Sequence, residues 1–449
     1  MNTEADSGTE LTSQTRGQLI RAAVAGNFAE WYDFGVYGVV ASSVAAHFFP
    51  SGDPTTALLS TYAVFALTYV SRPLGGLVAG WIGDTWGRRA SLTITIVLMC
   101  TATALIGVLP TYAAMGVGAP ALLLACRLLQ GLGAGGEYGS AASFLYEHSS
   151  PRTRARNISY LVASTFLGVL AAVGVASLTS AVLGNAAFDA WGWRILFLLA
   201  LPLGAIGIYV RLRVQETPQF RQLAHARGSR NQRATPIRDA FGQQWKTMLV
   251  FFFVVAVYAL ITPTVSSYFT TFLKGPGQMS SSDAYSITLI TDGILVVAAL
   301  AGGRIMERVG LHRLMVGGAA FVAVFSVPAF VIAAQGYVGG IVGGVILATG
   351  KGMLAVPAAL AIAYMFPTET RVTAGSFAYN ATVVLFGGSG PLLGVWLNSQ
   401  VGSEYVFGVY LSAVALVSVI AASVGRLRLK HPAGSVSTLP AEGDAVAPS

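Results

Sequence analysis

Ionisable side chains inside apolar segments are the residues of this sequence with the most informative chemistry. Glu30, Asp33 and Tyr37 follow one another at steps of 3 and 4 residues, so they share one face of a helix. If that helix begins near Arg21, Asp33 lies about 18 Å along it, close to the centre of a bilayer. An ionised acid there costs several kcal/mol unless it is paired or faces water. The pattern favours a functional acid, with a structural ion pair to another helix as the alternative.

A second group of polar residues lies further along the chain, among glycines. Arg127, Gln130 and Glu137 are separated by 3 and 7 residues and fall on one helical stripe. Arg127 is expected near mid-membrane, where a cation should face a cavity or a partner. Glu137 follows roughly 15 Å further along the helix. The arrangement favours a proton relay or a substrate clamp, with a purely structural network of arginine and acid as the alternative.

The second half of the chain carries one further central cation, Lys351. It shares a helix face with small residues such as Gly344, so it is expected to point into a cavity rather than into lipid. Together with Arg127, it suggests an anionic group bound between two halves. The alternative is that Lys351 neutralises Asp292 or Asp33.

Four further polar residues are candidates for contact with the bound molecule. Tyr37 and Gln130 lie on the faces described above, and Tyr379 and Asn380 lie in the eleventh apolar stretch. That stretch also contains the run 387–391, with three glycines and a proline. We expect this run to interrupt its helix, because unwound backbone is tolerated in a membrane where it lines a cavity.

The composition indicates the elements that must position these residues. Of 449 residues, 54% are hydrophobic and 10% charged, whereas soluble domains average about 25% charged residues. Apolar stretches of roughly 20 residues, long enough to span a bilayer, can be counted twelve times. The sequence therefore predicts an all-α integral membrane protein with twelve transmembrane helices. Cys100 and Cys126 fall inside these spans, so we expect no disulfide, no metal site and no cofactor.

The basic residues indicate how the chain crosses the membrane. Arginine and lysine concentrate in alternate loops, which places both termini in the cytoplasm by the positive-inside rule. The polar segment 1–17 carries Glu4 and Asp6 and does not resemble a cleaved signal peptide. The net charge of +8 thus reflects topology rather than nucleic-acid binding. We expect a multi-pass protein of the plasma membrane.

One loop motif occurs twice. Glycine, acid and glycine follow each other at steps of 4 and 3 residues from Gly80 and again from Gly303. Nearly half of the chain separates the two copies, and a repeat at half length indicates internal duplication. The predicted divisions are an N-terminal tail (1–17), an N-terminal six-helix bundle (18–213), a cytoplasmic linker (214–245), a C-terminal six-helix bundle (246–427) and a cytoplasmic tail (428–449).

The repeated motif is interpreted as a cytoplasmic gate. Asp84 can pair with Arg88 one turn later, although such a surface pair contributes little by itself. Its use would be as a latch that breaks when the halves rock, and the alternative is an ordinary turn. The residues of the predicted gate are Gly80, Asp84, Gly87, Arg88, Glu307 and Arg308.

These motifs resemble a known family. The loop from Gly80 to Arg89 resembles the signature loop of the major facilitator superfamily, except that Thr85 stands where arginine is usual. Other segments, over residues 18–427, resemble the metabolite:proton symporter family, which includes carriers for 2-oxoglutarate, citrate, shikimate and proline/betaine. The matching segments are Gly26 and Asn27, Glu30 to Phe34, Arg127 with Gln130 and Gly131, Gly135 to Gly139, Gly192 to Arg194, Glu216 to Pro218, and Phe366 to Thr368 with Arg371.

The resemblance implies two pseudo-symmetric six-helix bundles, a solute bound midway between them, alternating access and coupling to the proton gradient. With it, the sequence predicts a monomeric, proton-coupled importer of a small organic anion such as a mono- or dicarboxylate. Arg127 and Lys351 are the expected cations for that anion. Asp33 and Glu137 are the expected proton-linked acids, with Glu30 a lesser candidate.

Three alternatives stay open. A proline or betaine symporter could hold a cationic nitrogen in an aromatic cage drawn from Trp31, Tyr32, Tyr37 and Tyr258, although the tail lacks the long coiled coil of many osmosensing members. A multidrug exporter would need wide aromatic and Met-lined pockets. A membrane sensor or an intramembrane enzyme would need a signalling domain or a nucleophile with its base, and the sequence offers neither.

Overall fold

The computed structural model describes residues 13–50, 53–86, 88–135, 145–146, 149, 153–212, 236–366, 374–403, 405–426 and 429. Within these ranges the chain folds into helices that cross the molecule in alternating directions, and no strand occurs. In chain order they are α1 (Ser13–Val39), α2 (Pro54–Trp86), α3 (Arg88–Val108), α4 (Gly118–Ala134), α5 (Arg154–Leu183), α6 (Asn185–Tyr209), α7 (Gln244–Lys274), α8 (Ser281–Val309), α9 (Leu311–Ala333), α10 (Tyr337–Met365), α11 (Phe377–Val401) and α12 (Val406–Val424).

The lengths and composition of these twelve helices fit a membrane. Eight of them, α5 to α12, combine at least 18 residues with the apolar composition of a membrane span. The described parts of α3 and α4 are shorter apolar helices. The helices α1 and α2, with 27 and 33 residues, carry several of the buried charges. The predicted all-α fold with twelve spanning helices is confirmed.

Short helical pieces and π-helical turns extend this framework. Ala41–Phe48 continues α1, and Tyr112–Met115 precedes α4. Three spans contain a turn of π-helix, which widens the helix locally. These turns are Phe188–Gly192 in α6, Thr264–Tyr268 in α7 and Val383–Gly388 in α11.

The expected interruption of α11 at residues 387–391 is wrong. The π-helical turn passes directly into the α-helix Ser389–Val401, which contains Pro391. The missing N–H of this proline removes one helical hydrogen bond without ending the helix. The glycines serve close packing instead. A Cβ atom at Gly388 would lie 3.2 Å from the Tyr69 ring on α2.

The start of α7 lies earlier than the predicted boundary at residue 246. The helix begins at Pro236, and proline is well suited to a first helical position. The apolar window begins at Gln244. The first turns of this helix therefore precede the apolar span, which itself begins close to the predicted residue.

The helix ends repeat with the period of the sequence motif. The helix α2 ends at Trp86 and α8 ends at Val309. The helices that follow them begin at Arg88 and at Leu311. The number of residues between the two helix ends therefore equals the number between the two helix starts. Gly310, between α8 and α9, has a φ of 85°, which favours glycine. The described helix bounds thus recur at the same step in the two halves, as expected for two pseudo-symmetric six-helix bundles.

Among the described residues, the most extensive contacts between the two halves join α1 with α7, α2 with α11, α5 with α8, and α5 with α10. Glycine permits the backbones to approach closely there. A Cβ atom at Gly38 on α1 would overlap the Ser267 side chain on α7, and one at Gly303 on α8 would lie 2.7 Å from the Ser159 side chain on α5. The interface between the halves is therefore a tight contact between helices.

The close approach of α2 and α4 generates a prediction for stability. A Cβ atom at Gly131 would overlap the Ser71 hydroxyl and the Thr68 carbonyl oxygen. Because a backbone carbonyl cannot move aside easily, Gly131→Ala should destabilise the fold by about 1–3 kcal/mol through overpacking. The measurement is the melting temperature of the purified protein in detergent. Gly317→Ala is the matched control, since its Cβ would meet only the Met353 methyl carbon at 3.8 Å. Equal melting temperatures for the two variants would contradict the packing account.

Candidate functional site

The polar face of α1 points into the centre of the N-terminal half. Glu30 and Arg72, from the middle of α2, form an ion pair with a distance of 3.0 Å between Nη2 and Oε1. Glu30 is fully buried and Arg72 is 4% exposed. A buried pair of this kind is costly to break, because either partner alone leaves an uncompensated charge. This geometry matches the structural ion pair considered for the acids of α1.

Asp33 and Arg127 are connected through the side chain of Gln130. The Gln130 Nε2 donates to Asp33 Oδ1 at 2.9 Å and to the Thr103 hydroxyl at 2.8 Å. Arg127 Nη1 donates to Gln130 Oε1 at 2.7 Å. Arginine has donors only, so the amide oxygen must face Arg127 and the amide nitrogen must face Asp33. One neutral amide thus links the central acid and the central cation.

The rest of the Arg127 guanidinium lies against aromatic rings. Its Cζ is 4.0 Å from the centroid of Tyr37, 5.4 Å from that of Phe65 and 5.6 Å from that of Phe34. Such contacts attract a cation to the ring face. Arg127 is fully buried, and its Nε and Nη2 have no hydrogen-bond partner among the described residues. These two nitrogens are available to an acceptor such as a carboxylate.

Arg72 occupies the neighbouring part of the same aromatic cluster. Its Cζ lies 4.3 Å from the centroid of Phe34 and 5.0 Å from that of Tyr69. Phe65 packs edge-on against Tyr69 at 5.3 Å between centroids and stacks on Tyr37 at 5.9 Å. We call Phe34, Tyr37, Phe65 and Tyr69 the aromatic cluster. The guanidinium groups of Arg72 and Arg127 both lie against rings of this cluster.

The C-terminal half contributes Tyr379 and Asn380 from α11. They are 7% and 9% exposed, and Tyr379 is near enough to Arg72, Glu30 and Tyr258 to interact with them electrostatically. The structure therefore brings the predicted aromatic residue of α11 next to the charges of the N-terminal half.

Lys351 lies where the C-terminal half meets α5. Its Nζ is 4.7 Å from the centroid of Phe166 and 3.4 Å from the Thr262 carbonyl oxygen. Asp292 is also buried, and neither of its carboxylate oxygens has a hydrogen-bond partner among the described residues. The two charges interact electrostatically without a hydrogen bond between them, so Asp292 does not neutralise Lys351 by direct pairing.

Polar contacts join the halves at the face of the bundle opposite the start of α1 and the end of α12, which we call the distal face. The Tyr62 hydroxyl on α2 and the Thr271 hydroxyl on α7 are 2.7 Å apart. Lys274 Nζ lies 3.4 Å from the Ser42 hydroxyl and 3.4 Å from the Tyr285 hydroxyl. These contacts close the distal ends of the halves over the charged centre.

The residues of the predicted gate lie at the other end of the helices. Glu307 and Arg308 are described, and their side chains are exposed near the end of α8. The pairing expected in the first copy of the motif stays a prediction. Its residues fall where no side chain is described: Gly80, Asp84, Gly87 and Arg88.

Two residues of the central network were missed by the sequence analysis. Arg72 was not among the candidates, although it lies well inside α2, which continues to Trp86. A cation inside so long an apolar helix is a usable signal. Thr103 gave no signal, because single hydroxyl groups are frequent in membrane helices. Glu137 lies outside the described residues, so its predicted role stays a prediction.

Comparisons with known proteins identify the family. The family model for the Major Facilitator Superfamily matches residues 23–380. The proline/betaine transporter of Escherichia coli (strain K12) is 35% identical over 423 residues, covering 90% of this chain and 82% of that protein. The glycine betaine/proline/ectoine/pipecolic acid transporter OusA of Dickeya dadantii has the same identity and coverage.

The fold is also found in solved structures. A partially occluded, inward-open structure of the xylose transporter XylE from E. coli superimposes with a TM-score of 0.73, covering 92% of this chain and 98% of that one. At 16% identity, this likeness concerns the fold alone.

The relatives named above are transporters, which confirms the prediction that the chain is a transporter rather than an enzyme. The resemblance stated from the motifs is confirmed as well. The chain is a multi-pass membrane transporter that belongs to the major facilitator superfamily and, within it, to the metabolite:proton symporter family.

Proposed function

We propose that the protein imports a zwitterionic solute of the proline or betaine type together with protons. The carrying observation is the 35% identity to a proline/betaine transporter across 90% of this chain. It favours the alternative solute class over the mono- or dicarboxylate that ranked first from the sequence. This similarity extends through the membrane helices of both halves.

The charges of the centre suit a solute with one carboxylate. Arg72 is neutralised by Glu30 at 3.0 Å, which leaves Arg127 and Lys351, one in each half, as cations for an anionic group. A carboxylate has two oxygens and can accept from both cations when the halves close on it. A dicarboxylate would bring a second negative charge, for which the described residues offer no third uncommitted central cation.

Two tyrosines that the C-terminal half contributes beside the aromatic cluster suit the positive end of the same solute, because the rings of the cluster itself already lie against Arg72 and Arg127. Ring faces attract ammonium groups, including quaternary ones that have no N–H to donate. Tyr379 lies near Tyr69 of the cluster, and Tyr258 lies near Tyr379. The Tyr32 hydroxyl instead donates to the Leu196 carbonyl oxygen on α6 at 2.9 Å.

The amide of Gln130 supports a role for Asp33 in proton coupling. As a carboxylate, Asp33 accepts a hydrogen bond from the amide N–H of Gln130. This bond orients the Gln130 amide oxygen, which accepts from Arg127. Protonation of Asp33 removes that acceptor charge and loosens the hold on Arg127. The charge of the acid and the position of the solute-binding cation are thus linked. Because the solute is net neutral, each proton carries one charge inward, worth about 2.3 kcal/mol per 100 mV.

The arginine-rich loops support placement of both termini in the cytoplasm of the cell, with the distal face outside. In this orientation the contact between Tyr62 and Thr271 closes the outer entrance. It must open when the halves rock to admit solute. We expect the monomer to be the transporting unit, since each chain contains both halves.

Transport by purified protein in liposomes tests the proposed function. With an acidic exterior, labelled proline and glycine betaine should accumulate inside, and a protonophore should abolish accumulation because the proton gradient drives it. Unlabelled succinate and 2-oxoglutarate should compete weakly. Stronger competition by these dicarboxylates than by the zwitterions would contradict the proposed solute class.

Removal of the Asp33 charge tests its coupling role. Asp33→Asn should lose pH-driven accumulation and retain exchange of labelled for unlabelled solute, because exchange needs no net proton movement. The matched control is Asp53→Asn, the same change at an exposed acid just before α2, which should transport as the wild type does. Full pH-driven accumulation by Asp33→Asn would remove Asp33 as the coupling residue.

A further inference from the structure

We propose that Asp292 binds the N–H groups of the solute's ammonium and thereby sets the preference between amino acids that carry such groups and fully methylated betaines. The inference rests on the proposed function and goes beyond it. It assigns a residue that decides which zwitterions are preferred, in the half of the protein that does not contain the Asp33 network.

The first observation is that the Asp292 carboxylate is buried without a partner. It is 1% exposed, and among the described residues neither oxygen receives a hydrogen bond. An unpaired buried charge opposes folding. A carboxylate kept in that state within a membrane helix points to a ligand rather than to a structural role.

The second observation is the direction of this carboxylate. Leu289 and Gly303 lie three residues before and eleven residues after Asp292, about one and three helical turns away. Both lie against α5 of the other half. A Cβ atom built on Gly174 of α5 would lie 3.6 Å from the Leu289 side chain, and one built on Gly303 would lie 2.7 Å from the Ser159 side chain of α5. Asp292 therefore lies on the face of α8 that is turned toward the interface between the halves.

The third observation is that Lys351 reaches the same interface from α10. Lys351 shares a helix face with Gly344, seven residues earlier. A Cβ atom built on Gly344 would overlap the Thr291 hydroxyl on α8, so this face of α10 is turned toward α8. The Lys351 Nζ lies over the Phe166 ring of α5 at 4.7 Å. A carboxylate and an ammonium thus both face the interface between the halves, near enough to interact electrostatically and without a hydrogen bond to each other.

Two opposite charges in this arrangement complement an α-amino acid. Its carboxylate and its nitrogen are separated by a single carbon, so the carboxylate can accept from Lys351 while the N–H groups donate to Asp292. Proline has two N–H groups on its charged nitrogen. A betaine has none and can interact with Asp292 only through its charge. No group of three or more His, Cys, Asp and Glu suited to a metal ion occurs in the described part of the chain, which disfavours a cation site at Asp292.

A series of proline derivatives tests the inference in the full-length protein. Proline, N-methylproline and N,N-dimethylproline share one ring and one carboxylate and carry two, one and no N–H groups. Their dissociation constants are measured by calorimetry on wild type and Asp292→Asn. Because a hydrogen bond to a charged group is lost, Asp292→Asn should weaken proline binding about tenfold or more. The change should be smaller for N-methylproline and smallest for N,N-dimethylproline.

Two further variants keep the result interpretable. Thr288→Val removes a different buried polar group, a hydroxyl one turn earlier in α8, and should preserve the ratio of the three constants. Asp292→Glu retains the carboxylate and should retain the N–H preference, even if Asp292→Asn folds poorly.

Other outcomes overturn the inference. An equal loss for all three solutes would assign Asp292 a general structural role. Unchanged binding together with loss of pH-driven uptake would make it a proton carrier instead. If the wild type binds none of the three solutes, the proposed function fails, and this result is distinct from either of the other two.

Discussion

The cost of placing charge in the middle of a membrane is the constraint on which this structure depends. Asp33 and Arg127 are both buried, and a direct ion pair between them would satisfy each charge and fix it in place. Instead, Gln130 stands between them with hydrogen bonds of 2.9 and 2.7 Å, and aromatic rings cover the remaining guanidinium surface. The charges are stabilised by neutral groups, which leaves them able to respond to a proton or a solute.

The same constraint explains how the halves are joined. Each half keeps a cation that is in no direct ion pair with a described residue, Arg127 or Lys351. In the described part of the chain, the halves touch through close glycine contacts and hydroxyl groups, and no ion pair joins them. A contact such as Tyr62 to Thr271 at 2.7 Å is individually weak, because hydroxyl hydrogen bonds contribute only about 0.5–1.5 kcal/mol net. With an interface of this kind, the halves can separate at one end and come together at the other without breaking a buried ion pair.

The lengths of the apolar stretches predicted the twelve helices, the repeated loop motif predicted the duplication, and helical spacing predicted the shared face of Glu30 and Asp33. All three are local or periodic properties of the sequence. It could not predict which side chain of another helix meets each acid, so Arg72 was missed and Glu30 was treated as a proton candidate beside Asp33. The continuity of α11 through Gly388 was also missed, since glycine composition does not distinguish an interruption from a close helix contact. The anionic solute was ranked first because of the two central cations, Arg127 and Lys351, and the tail counted against the betaine class although it bears no relation to the charges of the centre. The gate residues and Glu137 stay predictions.

Proton uptake on solute binding tests the central claim most directly, that the charge of the buried centre and the bound solute are linked. The measurement is calorimetric titration of the purified protein with proline in buffers of different ionisation enthalpy, repeated over a range of pH. The account predicts net proton uptake on binding over part of that range, and its loss in Asp33→Asn. Binding that takes up no protons at any pH, with an affinity independent of pH, would contradict it.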